Sequence, residues 1–138
     1  MTSIPAMLRG QVIARAKSCC EYCQTQMRLV LYMEVDHVVP ASADGETTAD
    51  NLCLACKLCN ESKSAFQSGT DPETQDEASL FNPRTQVWAD HFVWSEDATL
   101  IVGKTPVGRA TIHRLKMNRP IVVEARRAWV SCIRQDFI

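Results

Sequence analysis

No part of this chain is apolar for long. The longest uninterrupted run, Leu29 to Met33, is five residues, whereas a helix crossing a membrane needs about 20. The N-terminal MTSIPAMLRGQ has no basic stretch ahead of a long apolar one, so it does not read as a secretory signal. These absences predict a cytoplasmic protein with no membrane partner. An excess of charge is missing too: the formal net charge is −1 and the pI about 6.3, where a nucleic-acid partner asks for a positive surface. No internal repeat is present. With 46% hydrophobic and 22% charged residues, the composition excludes bulk disorder and fibrous repeats.

What is present is one domain's worth of chain. Its 138 residues are enough to bury roughly two thirds of the unfolded surface, so folding needs no disulfide framework. Seven cysteines are therefore conspicuous. In a reducing compartment their main uses are metal binding or catalysis.

The small net charge conceals an asymmetry. Residues 1–103 hold seven Lys and Arg against fourteen Asp and Glu, while residues 104–138 hold eight against two. The body is acidic and the tail, Lys104 to Arg134, is basic. Part of the acidity lies in residues 68–80, where Asp71, Glu73, Asp76 and Glu77 surround Pro72 without apolar periodicity. This stretch is expected to be an acidic surface loop between an N-terminal module, residues 1–67, and an extension, residues 81–138, packed on the same domain.

Leu8, Val12, Ile13 and Ala16 recur at helical spacing after Pro5, which predicts a helix from about Pro5 to Lys17. Leu29 to Val39 is rich in β-formers and stops at Pro40, which predicts a strand. A loop, Ala41 to Asp50, leads to a short apolar segment, Leu52 to Ala55, and then to a helix from about Lys57 to Phe66. Beyond the acidic stretch, VWADHFVW and TLIV flank Ser95-Glu96-Asp97 as a second hairpin. Thr105-Pro106 opens a helix to about Met117, and a last helix runs from Ile121 to about Arg134.

Cys20-Glu21-Tyr22-Cys23 and Cys56-Lys57-Leu58-Cys59 form two CxxC pairs thirty-two residues apart. Each pair can bite one tetrahedral Zn²⁺ through two thiolates, and four complete a closed structural site. Cys19 and Cys53 compete for these places. Cys53 occupies an apolar slot in NLCLAC and Cys19 has the longer spacing to Cys23, so both are assigned to packing, as is Cys132. Between the pairs stands Val35-Asp36-His37-Val38, a carboxylate and an imidazole placed consecutively at a strand end, whose side chains point to opposite sides unless the strand kinks. Asn51 follows the loop, Asn60 follows the last cysteine, and Lys63 lies one turn further on. His91 and His113 have no such company.

The series CEYC, EVDHVVPASADGETTADNLCLAC and CKLCNESK resembles the HNH endonucleases of the zinc-containing, McrA-like type, from Cys20 to about Lys63. The resemblance implies an α+β fold: a ββα-metal core held by four-cysteine zinc knuckles, followed here by a β-hairpin and C-terminal helices. It implies His37 as the general base for the attacking water, Asn51 as the residue that orients and polarises that base, and Asp36 as a ligand of a catalytic ion. Asn60 stands where a histidine is usual. Its amide oxygen is a harder ligand than imidazole and favours Mg²⁺ or Mn²⁺. The implied function is hydrolysis of DNA phosphodiesters, in duplex or structured DNA, to 5′-phosphate and 3′-hydroxyl ends by a monomer or dimer. The alternative is a non-catalytic zinc module that binds nucleic acid or protein. A third reading is a redox switch through Cys19, Cys20 or Cys53. Lys63, Arg119, Arg126 and Arg127 are the expected nucleic-acid contacts, the arginines of the last helix pointing to solvent.

Overall fold

A computed structural model describes residues 3–27 and 33–136, without side chains from residue 130 onward. Among the described residues the fold mixes helix and strand, with three two-stranded antiparallel ribbons. Among the described residues no helix is long and apolar enough to cross a membrane.

The first helix, α1 (Ala6–Arg15), buries Val12 and lays Leu8 and Ile13 against the core, the face expected from their spacing. Arg15 staples its end to the next layer, donating to the carbonyls of Ala49 at 2.9 Å and Leu52 at 2.7 Å. Strand β1 (Met33–His37) pairs with β2 (Leu52–Cys56), Met33 opposite Cys56 and His37 opposite Leu52. The expected strand from Leu29 lies partly outside the described residues. It also ends two residues early, because the Asn51 carbonyl takes the N–H of Val38 and the Asn51 side chain takes both backbone groups of Val39.

A lone two-stranded ribbon is only marginally stable in water. All five residues of β2 are buried, between α1 and α2 (Lys57–Lys63). Burial of Leu52 and Leu54 contributes about 1.5–3 kcal/mol each. The open edge of β2 is closed by one residue. Glu21 donates its backbone N–H to the Leu54 carbonyl and accepts the Leu54 N–H on its carboxylate, both at 2.8 Å. Its other oxygen pairs with Arg84. Helix α2 stops at Lys63, short of the expected Phe66, because Ser64 turns to positive φ.

Residues 68–80 are not the expected surface loop. Strands β3 (Ser68–Thr70) and β4 (Glu77–Ser79) form a hairpin, and its Asp71 is 0% exposed. The carboxylate is held by the fork of Arg109, Nε at 3.0 Å and Nη2 at 2.9 Å, so acidity that looked solvated is partly an internal tie to α4 (Pro106–Leu115). Trp88 to His91, expected as strand, forms a single helical turn, α3. The turn puts Trp88 and Phe92 on one face, where their rings stack at 5.0 Å, and lets the indole N–H reach the Tyr22 carbonyl at 2.7 Å. The second hairpin follows as expected, β5 (Phe92–Trp94) with β6 (Ile101–Gly103). Thr105 caps α4 and Pro120 opens α5 (Pro120–Asp136). The side chains of Cys132 and Arg134 lie outside the described residues.

The Arg109 guanidinium beside Asp71 lowers the pKa of that carboxyl to about 2. Its neighbour Glu73 meets the same guanidinium at 2.6 Å but is 68% exposed. Surface pairs are worth about 0–1 kcal/mol, whereas removing one partner of a buried pair strands the other. Urea unfolding is therefore expected to show a loss for Asp71→Ala several times that for Glu73→Ala.

Candidate metal centre and nuclease-type site

The two CxxC knuckles converge at one end of the ribbon. Sγ atoms of Cys20, Cys23, Cys56 and Cys59 lie within 4.8 Å of one another, all buried. Four sulfurs at about 2.3 Å from a tetrahedral Zn²⁺ stand about 3.8 Å apart. The Cys23 and Cys56 sulfurs are 3.7 Å apart. Each knuckle turns an N–H toward its own first sulfur, Cys23 to Cys20 and Cys59 to Cys56, both at 3.5 Å. The donor set and its spacing fit zinc. The pKa values of Cys23 and Cys56 are lowered chiefly by hydrogen bonding with Cys20, while burial raises that of Cys20 and hydrogen bonding with Cys20 raises that of Cys59.

Cys53 stays apart from the cluster. It is buried against the Tyr22 hydroxyl at 3.6 Å, and burial pushes its pKa up to about 12, the behaviour of a packing residue. Cys19 is half-buried and its thiol faces the Lys17 carbonyl at 3.5 Å.

Arg126 belongs to this centre rather than to the surface. It is 3% exposed and donates to the carbonyls of Thr99 at 2.9 Å and Met117 at 2.5 Å, and to the Asn118 amide oxygen at 2.9 Å. Burial lowers its pKa, and the charges of Cys23, Cys59 and Cys56 act the other way. Four thiolates around one Zn²⁺ leave a net charge of about −2, and a buried guanidinium within its field is the natural counter-charge. The expected solvent-facing arginine is thus corrected, because its donors are consumed by carbonyls inside the domain.

At the far end of the ribbon, Asp36 and His37 point apart, as their succession on a strand requires. The His37 Nε2 meets the Thr47 hydroxyl at 2.9 Å. No described residue hydrogen-bonds its Nδ1. Asp36 turns toward α2, where the Lys63 ammonium lies 3.3 Å from Oδ2 and also donates to the His37 carbonyl at 3.2 Å. Lys63 is 2% exposed, so it cannot serve as the expected nucleic-acid contact. Burial raises the pKa of Asp36 and Lys63 opposes the rise. Oδ2 is buried, and among the described residues that ammonium is its one charged partner. Asn60 sits one turn before Lys63 on α2, and its side-chain amide makes no hydrogen bond with a described residue.

Asn51 acts on the loop and makes no side-chain hydrogen bond with the imidazole. Its amide oxygen accepts the Val39 N–H at 2.9 Å and its NH₂ donates to the carbonyls of Val39 at 3.0 Å and Glu46 at 2.9 Å. A Cβ on Gly45 would fall 1.7 Å from the Val39 carbonyl oxygen, so this close path needs glycine. The loop in turn presents Thr47 to His37. Sequence reasoning missed Thr47, since a hydroxyl in ADGETTADN carries no spacing signal.

Residues 20–66 match the family model of the HNH endonucleases. The matched stretch contains both knuckles, the ribbon, its loop and α2, and it supports a nuclease-type, metal-binding role for that part of the chain. No curated protein matches the chain.

Structural zinc contributes on the order of 10 kcal/mol, about the whole stability of a small domain. Cys56→Ala is therefore expected to unfold the protein, as read by circular dichroism. Arg126→Lys, which keeps the charge, should hold zinc against a competing chelator better than Arg126→Leu, which removes it.

Proposed function

We propose that this protein is a metal-dependent HNH endonuclease that hydrolyses DNA phosphodiesters to 5′-phosphate and 3′-hydroxyl ends. The observation that carries the reading is the His37 imidazole, oriented at Nε2 by Thr47 and unengaged at Nδ1, next in sequence to the half-buried Asp36 carboxylate held by Lys63. The order β1, β2, α2 is the one a ββα-metal core asks for, and the family match covers it.

An anionic diester resists an anionic nucleophile, so the site has to activate water and offset charge together. His37 takes the proton of the attacking water at Nδ1, with Thr47 holding the ring. Asn51 fixes the loop that carries Thr47. Asp36 and Asn60 are the residues that would hold Mg²⁺ or Mn²⁺, which supplies Lewis-acid stabilisation of the phosphoryl and leaving oxygens. Lys63 restrains the Asp36 carboxylate from inside.

That same lysine favours a second reading, since its ammonium already places a cation at Asp36. A zinc module that binds nucleic acid or protein without cutting needs no other ion there. Relaxation of supercoiled plasmid by the purified protein, with Mg²⁺, Mn²⁺ or neither, separates the two. Metal-dependent nicking is expected, and its absence with both ions would leave the binding module. His37→Ala should cut about 10²–10⁴-fold more slowly with zinc content unchanged, and Asn60→Ala should recover part of its loss at high Mg²⁺. Nicking by His37→Ala at the parental rate would contradict the assignment of the base.

A further inference from the structure

Most cations near the candidate site are already spent. Lys57 pairs with Glu61, Lys63 with Asp36, Arg84 with Glu21, Arg109 with Asp71 and Glu73, and Arg127 with Glu124. Arg126 is buried against carbonyls. One cluster of three cations differs. Arg114, Lys116 and Arg119 have no carboxylate within ion-pair distance among the described residues, and they line one groove of about 580 Å³ together with Thr70, His113 and Asn118.

The groove is built rather than incidental. Arg114 lies across Gly69, where an added Cβ would stand 3.3 Å from its own Cβ, and its guanidinium stacks 3.9 Å above the Phe66 ring. Stacking fixes the plane while leaving the in-plane N–H groups facing outward, and no described residue accepts from them. Lys116 occupies the left-handed cap of α4, at φ 52°, with an exposed side chain. Arg119 is anchored through Nε to the Lys116 carbonyl at 3.1 Å and through Nη2 to the Ser62 hydroxyl at 2.9 Å. Its Nη1 has no partner among the described residues. A fixed guanidinium edge, a free ammonium and a half-spent fork form a cationic donor array, the complement of phosphate oxygens.

Ser62 also fixes where the groove lies. It is two residues beyond Asn60 and adjacent to Lys63, so the groove and the Asp36–His37 end of the ribbon flank the same short helix. An α-helix with its side chains is about 10–12 Å across, which is about three base-pair steps of 3.4 Å along one strand.

We propose that this groove, which lies outside the matched segment, seats the phosphate backbone of duplex DNA and sets the register of the strand presented to His37. The proposal rests on the nuclease reading for its substrate. It replaces Lys63 and Arg126 as contacts, keeps Arg119, and draws Arg114 and Lys116 from the basic tail.

The test is duplex affinity as a function of salt, without added Mg²⁺, for the parent, Lys116→Asn, and Arg114→Gln combined with Lys116→Asn. Asparagine tolerates the left-handed cap, so the single variant keeps the fold. Removing one cation from the phosphate backbone should flatten the slope of log affinity against log salt by about 0.9, giving about 1.8 for the pair. Hydrolysis of bis(p-nitrophenyl) phosphate, too small to reach the groove, should be unchanged in both variants. An unaltered salt slope in Lys116→Asn and in the pair would overturn the groove while leaving the nuclease reading standing. Flattened slopes, in a parent that hydrolyses neither the small diester nor plasmid, would keep the groove as a DNA site and discard the nuclease.

Discussion

Everything in the first half of the molecule hangs on four sulfur atoms held within 4.8 Å of one another. A buried cluster of thiolates is strongly self-repelling unless a cation sits among them. That requirement joins residues 20–23 to residues 56–59 and so dictates the ribbon between them. Once the knuckles meet, Glu21 reaches the edge of β2, Tyr22 packs on Cys53, and the ribbon emerges with Asp36 and His37 at its far end. The same centre reaches the C-terminal half through Arg126, whose charge lies in the field of the cysteines and whose donors bind carbonyls on two other segments. The four-cysteine cluster thus meets residues of both halves.

A second device appears twice. The Asn51 side chain pairs with the N–H and C=O of Val39, and the Asn118 side chain pairs with the N–H and C=O of Ile101 at 2.9 and 2.7 Å. A carboxamide carries the same donor and acceptor as a peptide group, so each asparagine stands in for one residue of a missing strand. Short ribbons with many backbone groups to satisfy are thereby finished by single side chains. In the loop after β1 this gives Asn51 an architectural role: it holds in place the segment that presents Thr47 to the imidazole.

The zinc-type cluster was legible because two CxxC spacings are a strong chemical constraint and because Cys53 sits in an apolar run that the fold buries. The face of α1, the cap at Thr105 and the second hairpin followed from periodicity and turn residues. What the chain concealed were pairings between distant residues. Asp71 looks solvated among acidic neighbours, and only the arrival of Arg109, thirty-eight positions later, turns it inward. Lys63 and Arg126 look like surface cations because nothing local reveals that Asp36 and three carbonyl-type oxygens await them. Trp88 has strand propensity, yet stacking on Phe92 makes a helical turn the better conformation.

The central claim is that one zinc ion, bound by sulfur alone, holds the ribbon on which the candidate nuclease site is built. X-ray absorption at the zinc edge of the purified protein measures this directly. One zinc per chain is expected, with four sulfur neighbours at about 2.3 Å and no nitrogen or oxygen bound to the metal. Fewer than four sulfurs, a light-atom ligand, or a folded protein without zinc would contradict it.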